Sequence, residues 1–261
     1  MQNRLIAALV VLLLWCVPSQ AQIAHRQSEP GVITNSASST VATAFGSDIL
    51  AGSLLVACVP YYNPAGTISV SSIADTRSST WAKAYGPVTV TSIGGDWSLE
   101  VWRAYNSTAG ANTVTVTYSA SVAEGRGVAV TEVTGAATSN AQDQSMGRAM
   151  VDPGTVADAV TSDPTGTTSQ ANELVYGCTN VLPYDTVTEG SGFTTLGNTS
   201  NSGTYNRMAI EYKTVSATST YAATFTSTDV NSDASTIVVT FKEAGGGGAA
   251  SPRGQMIGVL P

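Results

Sequence analysis

Gly52-Ser-Leu-Leu-Val-Ala-Cys58-Val is met a second time along the chain as Asn172-Glu-Leu-Val-Tyr-Gly-Cys178-Thr. Working outward, Ser79-Thr-Trp81 answers to Ser191-Gly-Phe193, and Leu99-Glu-Val-Trp-Arg103 to Ile210-Glu-Tyr-Lys213. Asn112-Thr-Val-Thr-Val-Thr-Tyr118 answers to Thr220-Tyr-Ala-Ala-Thr-Phe225, and Val128-Ala-Val-Thr131 to Ile237-Val-Val-Thr240. All five matches keep one order and a nearly constant spacing. One Ser/Thr-rich strand matches another easily by chance, but five in register do not, so an internal repeat sets the architecture.

The local pattern within each half is that of strands. Beyond the first 21 residues leucine is scarce, and Val, Thr, Ser, Ile and Tyr carry the alternation, which suits a half-buried pleated surface. Gly, Asn, Asp and Pro interrupt it at short intervals, as in a sandwich or barrel. Thr113-Val-Thr-Val-Thr117 puts Val114 and Val116 on one face and threonines on the other. Leu54 to Val59 is continuously apolar, as a central strand covered on both faces would be. The expected fold is all-β: a single two-sheet, jelly-roll-like sandwich built from two pseudo-repeated halves. Half 1 covers about 31–135 and half 2 about 171–243, within a domain spanning 22–244. Residues 136–170 read as a crossover holding at most one strand, near Thr155–Thr161. Val32–Ala44 reads as one continuous strand, and residues before it as a loose end. The Gly-rich stretch 245–261 reads as a flexible tail.

Arg4, the eleven-residue apolar run Leu5–Trp15 and Pro18-Ser-Gln-Ala21 form a secretory signal with maturation expected at Gln22. Trp15 before Cys16 is too bulky for lipoprotein processing. No later run is long and apolar enough to make a spanning helix, so no integral membrane segment is expected after cleavage. The net charge of −7 excludes a basic nucleic-acid footprint. Export permits a disulfide. Cys58 and Cys178 hold equivalent places, and equivalent central strands of a pseudo-twofold sandwich can bring them together. Alternatively they are two separate buried thiols; their Cα separation decides.

Catalytic and metal-binding sets are poorly supplied. The sole histidine, His25, falls on the expected loose end, which leaves no Ser-His-Asp or Cys-His arrangement. Zinc would need several His or Cys ligands. Asp75, Asp96, Asp229 and Asp233 could offer oxygens to calcium, but turn chemistry accounts for them and no cofactor is expected. Glu100, Glu132, Glu173 and Glu211 fall on or beside strands, so a glutamate pair is the one route to a polysaccharide-cleaving enzyme. The repeat makes Glu100 and Glu211 equivalent, which favours a fold role, such as a solvated outward position or a strand-end hydrogen bond, over the unlike environments a catalytic pair needs. No catalytic residue is assigned.

Aromatic rings offer flat faces to sugars. Trp97, beside Gly94-Gly95, is expected to be exposed, Trp102 to point outward, and Tyr61 and Tyr62 to end a strand in a loop. These four are the candidate ligand contacts, with edge-of-core packing the competing role for each. Trp81 and Phe193, matched across the repeat, are assigned to core.

Gly52-Ser-Leu-Leu-Val, Asp75 through Trp81, Asn112-Thr-Val-Thr-Val-Thr and Ala171-Asn-Glu-Leu-Val together resemble an uncharacterised β-sandwich module of secreted bacterial surface proteins and some phage structural proteins. The resemblance spans most of Gly31–Lys242 and implies a fold, with no catalytic residues to carry over. The functional expectation is a secreted, non-catalytic protein engaged in adhesion or carbohydrate binding, its partner a glycan or another surface protein. The alternatives are a structural subunit of a filament, matrix or virion-like particle, and the glutamate-pair enzyme.

Overall fold

The computed structural model describes residues 22–92, 94–151, 159–183, 186–200, 205–228 and 232–245. The expected signal, most of the tail, Asp229 and residues 155–158 of the strand expected near Thr155–Thr161 lie outside these residues. Sixteen strands follow one another: β1 (Ala24–Thr34), β2 (Ser38–Ala44), β3 (Leu54–Tyr62), β4 (Val70–Asp75), β5 (Trp81–Ser92), β6 (Gly95–Ala104), β7 (Thr113–Val122), β8 (Arg126–Thr134), β9 (Gln142–Met150), β10 (Ala159–Thr161), β11 (Asn172–Leu182), β12 (Val187–Glu189), β13 (Thr194–Ser200), β14 (Arg207–Ser216), β15 (Thr224–Ser227) and β16 (Asp233–Lys242).

The two halves have one topology. Sheet I runs β1-β8-β3-β6-β5 and sheet II runs β9-β16-β11-β14-β13, so adding eight to each strand number converts one into the other. The same operation converts the three-stranded sheet β2-β7-β4 into β10-β15-β12. All pairings are antiparallel. Strands 1-8-3-6 opposite 2-7-4 is jelly-roll order, repeated once per half.

Sheets I and II pack face to face, forming the two-sheet sandwich read from the sequence. Their shared interior joins Leu54, Val56 and Cys58 of β3 with Leu174, Tyr176 and Cys178 of β11, flanked by Leu99, Val101, Ile210, Ile237 and Phe241. The three-stranded sheets then cover the outer faces, giving four layers. Leu55, Ala57, Val59 and Tyr61 pack under β2-β7-β4 with Val114, Val116 and Tyr118. Val175 and Val181 pack under β10-β15-β12 with Val160 and Phe225. The unbroken apolar runs of β3 and β11 follow directly, since alternate residues face different cores and both faces are buried.

A pseudo-twofold axis runs between β3 and β11. Edge strand β1 lies against β13 and edge strand β5 against β9, two contacts that the axis exchanges. Cys58 and Cys178, equivalent across this axis, are joined by a disulfide with Cα atoms 6.1 Å apart.

Several expectations are corrected. The stretch Val32–Ala44 is two strands, because the chain leaves sheet I at Thr34 and enters the covering sheet at Ser38. Residues from Ala24 onward belong to β1 rather than a loose end, paired with β8 through Ala24↔Thr134 and Ser28↔Thr131. Gly31, at φ 89°, occupies the bulge in that pairing, where a Cβ would stand 2.2 Å from the Val128 carbonyl oxygen. The crossover contains β9 and β10, the edge and covering strands that half 2 needs to copy β1 and β2.

The sequence matches also shift. Counted from the cysteines, Cys58 lies opposite Ala129 and Cys178 opposite Ile237, so Ala129, not Val128, is equivalent to Ile237. A one-residue slip would have moved Val128 from an outer core to the central one. On the other side, Val101 is equivalent to Ile210, which makes Glu211 the counterpart of Trp102 rather than of Glu100.

Candidate functional site

Each covering sheet has three strands against five; in half 1 its strand β4 touches β5 but leaves Lys83 and Thr89 exposed. This partly open outer side of β5, beside β6, forms a ledge. Ladder partners place Lys83 beside Trp102 and Thr89 beside Ser98 along it. Glu100 lies on the same face, opposite Val59 of β3. Its side chain is fully buried, so of the two fold roles expected it holds hydrogen bonds rather than a solvated position. It accepts the Tyr61 hydroxyl at 3.1 Å and the Trp102 indole N–H at 2.7 Å. Lys83 Nζ completes the set 3.0 Å from the same carboxylate, lying 5.5 Å from the centre of the Trp102 ring. Charge, indole and ammonium therefore hold one another in fixed positions, as a buried carboxylate requires.

The ledge adjoins a pocket of about 380 Å³ lined by Lys83, Ala84, Tyr85, Gly86, Pro87 and Val88. It opens where β5 slips register twice against β6, between Lys83 and Tyr85 and between Tyr85 and Val88. Behind it, Tyr85 donates its hydroxyl to Met146 Sδ of β9 at 3.6 Å. Its volume falls in the range of small-ligand sites, roughly 300–1,000 Å³.

The four aromatic candidates divide. Trp102 is half-buried on the ledge, packed against the outer core of half 1. Tyr61 is 1 % exposed and reaches the ledge only through its hydroxyl to Glu100. Trp97 is also 1 % exposed, which corrects its expected exposure. The Gly94-Gly95 hairpin tip leaves it unshielded in the sequence, but Val90, Leu182 and the Tyr62 ring, 4.9 Å away, enclose it. Tyr62 is half-buried and bonds through its hydroxyl to the Gly94 carbonyl. Phe193 is in the half-2 core, and Trp81 packs at the rim of the half-1 core with its N–H on Asp75.

Half 2 carries different chemistry at the same place. Glu211 is fully buried and accepts the Gly190 and Thr224 backbone N–H groups, both at 3.0 Å. Burial outweighs these donors and the nearby Lys213 and raises the carboxyl to about 7. Gly177 faces it because nothing larger fits: a Cβ there would lie 2.7 Å from Glu211 Cγ and 2.8 Å from Ala223 Cβ. The Lys213 ammonium sits 4.1 Å from the Phe193 ring centre. Burial lowers its affinity for the proton while Glu211 opposes that shift.

Within each half the two glutamates do not face one another across a cleft. Glu100 and Glu132 oppose Val59 and Leu55, and Glu211 and Glu173 lie at Gly177 and at β11's own start, four residues apart in each case. That is ~14 Å along a strand, beyond the ~10 Å limit for a glycosidase pair. Glu132 has a structural role. It accepts Arg26 at 2.5 Å, Gln27 at 2.6 Å, and Leu50 N and Ser53 Oγ at 2.7 Å, tying β1 to the loop before β3. Burial alone would raise its carboxyl, but these donors hold it below the usual range.

His25 lies in β1, its Nε2 2.9 Å from Ser28 Oγ and its ring 5.0 Å from that of Tyr212. The loose-end objection to a triad therefore fails, yet Ser28 Oγ continues to the buried Thr131 hydroxyl at 3.0 Å, inside the packed sheet contact. The chain His25–Ser28–Thr131 is a structural one. Asp75 caps its turn through the Arg77 and Ser79 N–H groups, as its sequence context implied. Among the described residues no group of three or more metal-binding side chains occurs, and no helix is long and apolar enough to cross a membrane.

Comparison with protein-family models, with curated proteins and with solved structures finds no match to this chain. The likeness to the secreted sandwich module rests on strand and turn patterns alone.

Proposed function

We propose that this is an exported, non-catalytic binding module that holds a carbohydrate on the half-1 ledge, at or outside the cell surface. The observation that carries the reading is the combination at β5 and β6: an open pocket of ligand size beside a half-exposed indole and an ammonium, both fixed by one buried carboxylate. Lys83 and Thr89 supply hydrogen-bonding groups for sugar hydroxyls, and Trp102 supplies an apolar edge. The signal-like first 21 residues support export.

Glycan-array screening followed by calorimetry on the best oligosaccharide tests this. Lys83→Ala is expected to weaken binding, and Trp102→Ala to weaken it about tenfold or more. Because Lys83 also neutralises the buried Glu100, thermal unfolding of each variant is measured beside its affinity, so that loss of binding is separated from loss of the fold. Retained affinity in both folded variants, or no glycan binding by the wild type, overturns the reading.

One observation favours the second reading, a structural subunit. The outward rows of both covering sheets consist of small residues: Thr40, Thr117 and Ser72, then Ala42, Thr115 and Ala74, with Ala159, Thr226 and Thr188 in half 2. Such flat faces allow close stacking of one copy on another. Light scattering is expected to show concentration-dependent growth in mass under that reading; a monomer at millimolar concentration removes it.

A further inference from the structure

The two halves place opposite chemistry at equivalent corners. In half 1, Gln27 accepts the Ser47 N–H and hydroxyl, and Arg26, Gln27, Leu50 N and Ser53 Oγ all donate to Glu132. In half 2, Asp143 of β9 takes the ladder position of Arg26 and bonds a serine as Gln27 does, accepting Ser169 N at 2.5 Å and Ser169 Oγ at 2.7 Å. The carboxylate and hydroxyl have also changed strands. Counted from the cysteines, Ser53 corresponds to Glu173, and Glu132 to Thr240. Half 2 therefore brings two carboxyls, Asp143 and Glu173, to a corner where half 1 has one carboxylate and an arginine.

Glu173 has no exposed surface, and neither of its carboxyl oxygens has a hydrogen-bond partner. The Thr240 hydroxyl, already an acceptor for Gln144 N at 3.1 Å, faces it without reaching bonding geometry. The charged and titratable groups around it are Asp143 from β9, Lys242 from β16 and Tyr221 from the segment before β15. Lys242 Nζ stands 4.0 Å from Asp143 Oδ1, on the Asp143 side of the pair. A buried carboxylate with no donor is costly, and one proton placed between two neighbouring carboxyls supplies the missing donor.

We infer that Asp143 and Glu173 share a single proton that fastens edge strand β9 to sheet II, making the seating of β9 sensitive to pH around neutrality. Loss of the proton leaves two anions at a buried corner with one lysine beside them. β9 is the strand that would yield, since it pairs only with β16 and its register slips between Val239 and Phe241, next to Asp143. Burial first, and then Asp143, raise the Glu173 carboxyl to about 7 from an ordinary 4.5. A carboxyl raised on folding stabilises the fold fully below its unfolded value, and that share is lost as pH rises through 7. Glu211 moves the same way, so the two must be separated by substitution.

Carbon-13 NMR of the labelled, full-length protein tests the inference directly. The Glu173 carboxyl is expected to titrate near 7 in the wild type, and its midpoint to fall in Asp143→Asn. Hydrogen exchange corrected for intrinsic rates is expected to quicken in β9 between pH 6 and 8, and this rise to vanish in Glu173→Gln while persisting in Glu211→Gln. A wild-type midpoint between 4 and 5 overturns the proposal without recourse to any variant. So does a midpoint unmoved by Asp143→Asn, or exchange in β9 that ignores pH.

Discussion

Removing the Cys58–Cys178 bridge is expected to cost the protein about 5 kcal/mol, the chain-entropy value for a cross-link closing 120 residues. The bridge joins the two halves across their shared interior, and both sulfurs lie where no solvent reaches. In the unfolded chain it ties β3 to β11, halves that otherwise diffuse independently. In the folded protein its replacement by two alanines removes little more than two sulfur atoms. The loss therefore acts mainly on the unfolded state. Denaturant titrations of the wild type and the Cys58→Ala, Cys178→Ala double variant should show a large fall in midpoint. An increase in slope should accompany it, because the uncrosslinked chain exposes more surface on unfolding. Equal midpoints would mean that packing between sheets I and II alone sets stability.

The second large effect is expected at Trp97. Its replacement by alanine should cost ~3–5 kcal/mol, the range for deleting a fully buried large aromatic. Trp97 fills the space between Val90, Leu182 and Tyr62, bridging a half-1 hairpin to the end of β11. Gly125, at φ 65°, passes so close to the ring that a Cβ there would lie 2.2 Å from it. Thermal unfolding followed by circular dichroism should show the drop, with glycan affinity of the folded fraction unchanged. A stable variant that loses ligand would instead return Trp97 to the role its sequence context suggested.

The cystine and Trp97 mark what the sequence could and could not convey. The cysteines were legible because the repeat placed them at matching points of unbroken apolar strands, and such strands have to be central. Trp97 was misplaced because a Gly-Gly tip signals a turn but says nothing of what packs over it, here Leu182 of the other half. The edge strand Gln142–Met150 was missed for a related reason. Only Met146 and Met150 pack against the half-2 core, too few apolar residues for an alternation to betray it. The repeat could have found it, since half 2 needs counterparts of β1 and β2 upstream of Asn172. Register failed by one residue at Val128 and by two at Glu100, because Val/Thr-rich strands align with themselves at several offsets. Of the ledge, Trp102 and Glu100 were visible on one face. Lys83 was not, because its approach depends on how β5 pairs with β6.

The axis through the cystine also makes the two halves comparable with two copies of one smaller chain. An eight-stranded chain of half this length, with one cysteine at that position, would bury its apolar sheet by pairing with its own twin, and the bond would join identical residues of two molecules. Duplication and fusion make such a homodimer into one polypeptide and release its two copies from having to stay alike. The corners at Glu132 and Glu173, neutralised by an arginine in one and left to a neighbouring acid in the other, are what that release permits.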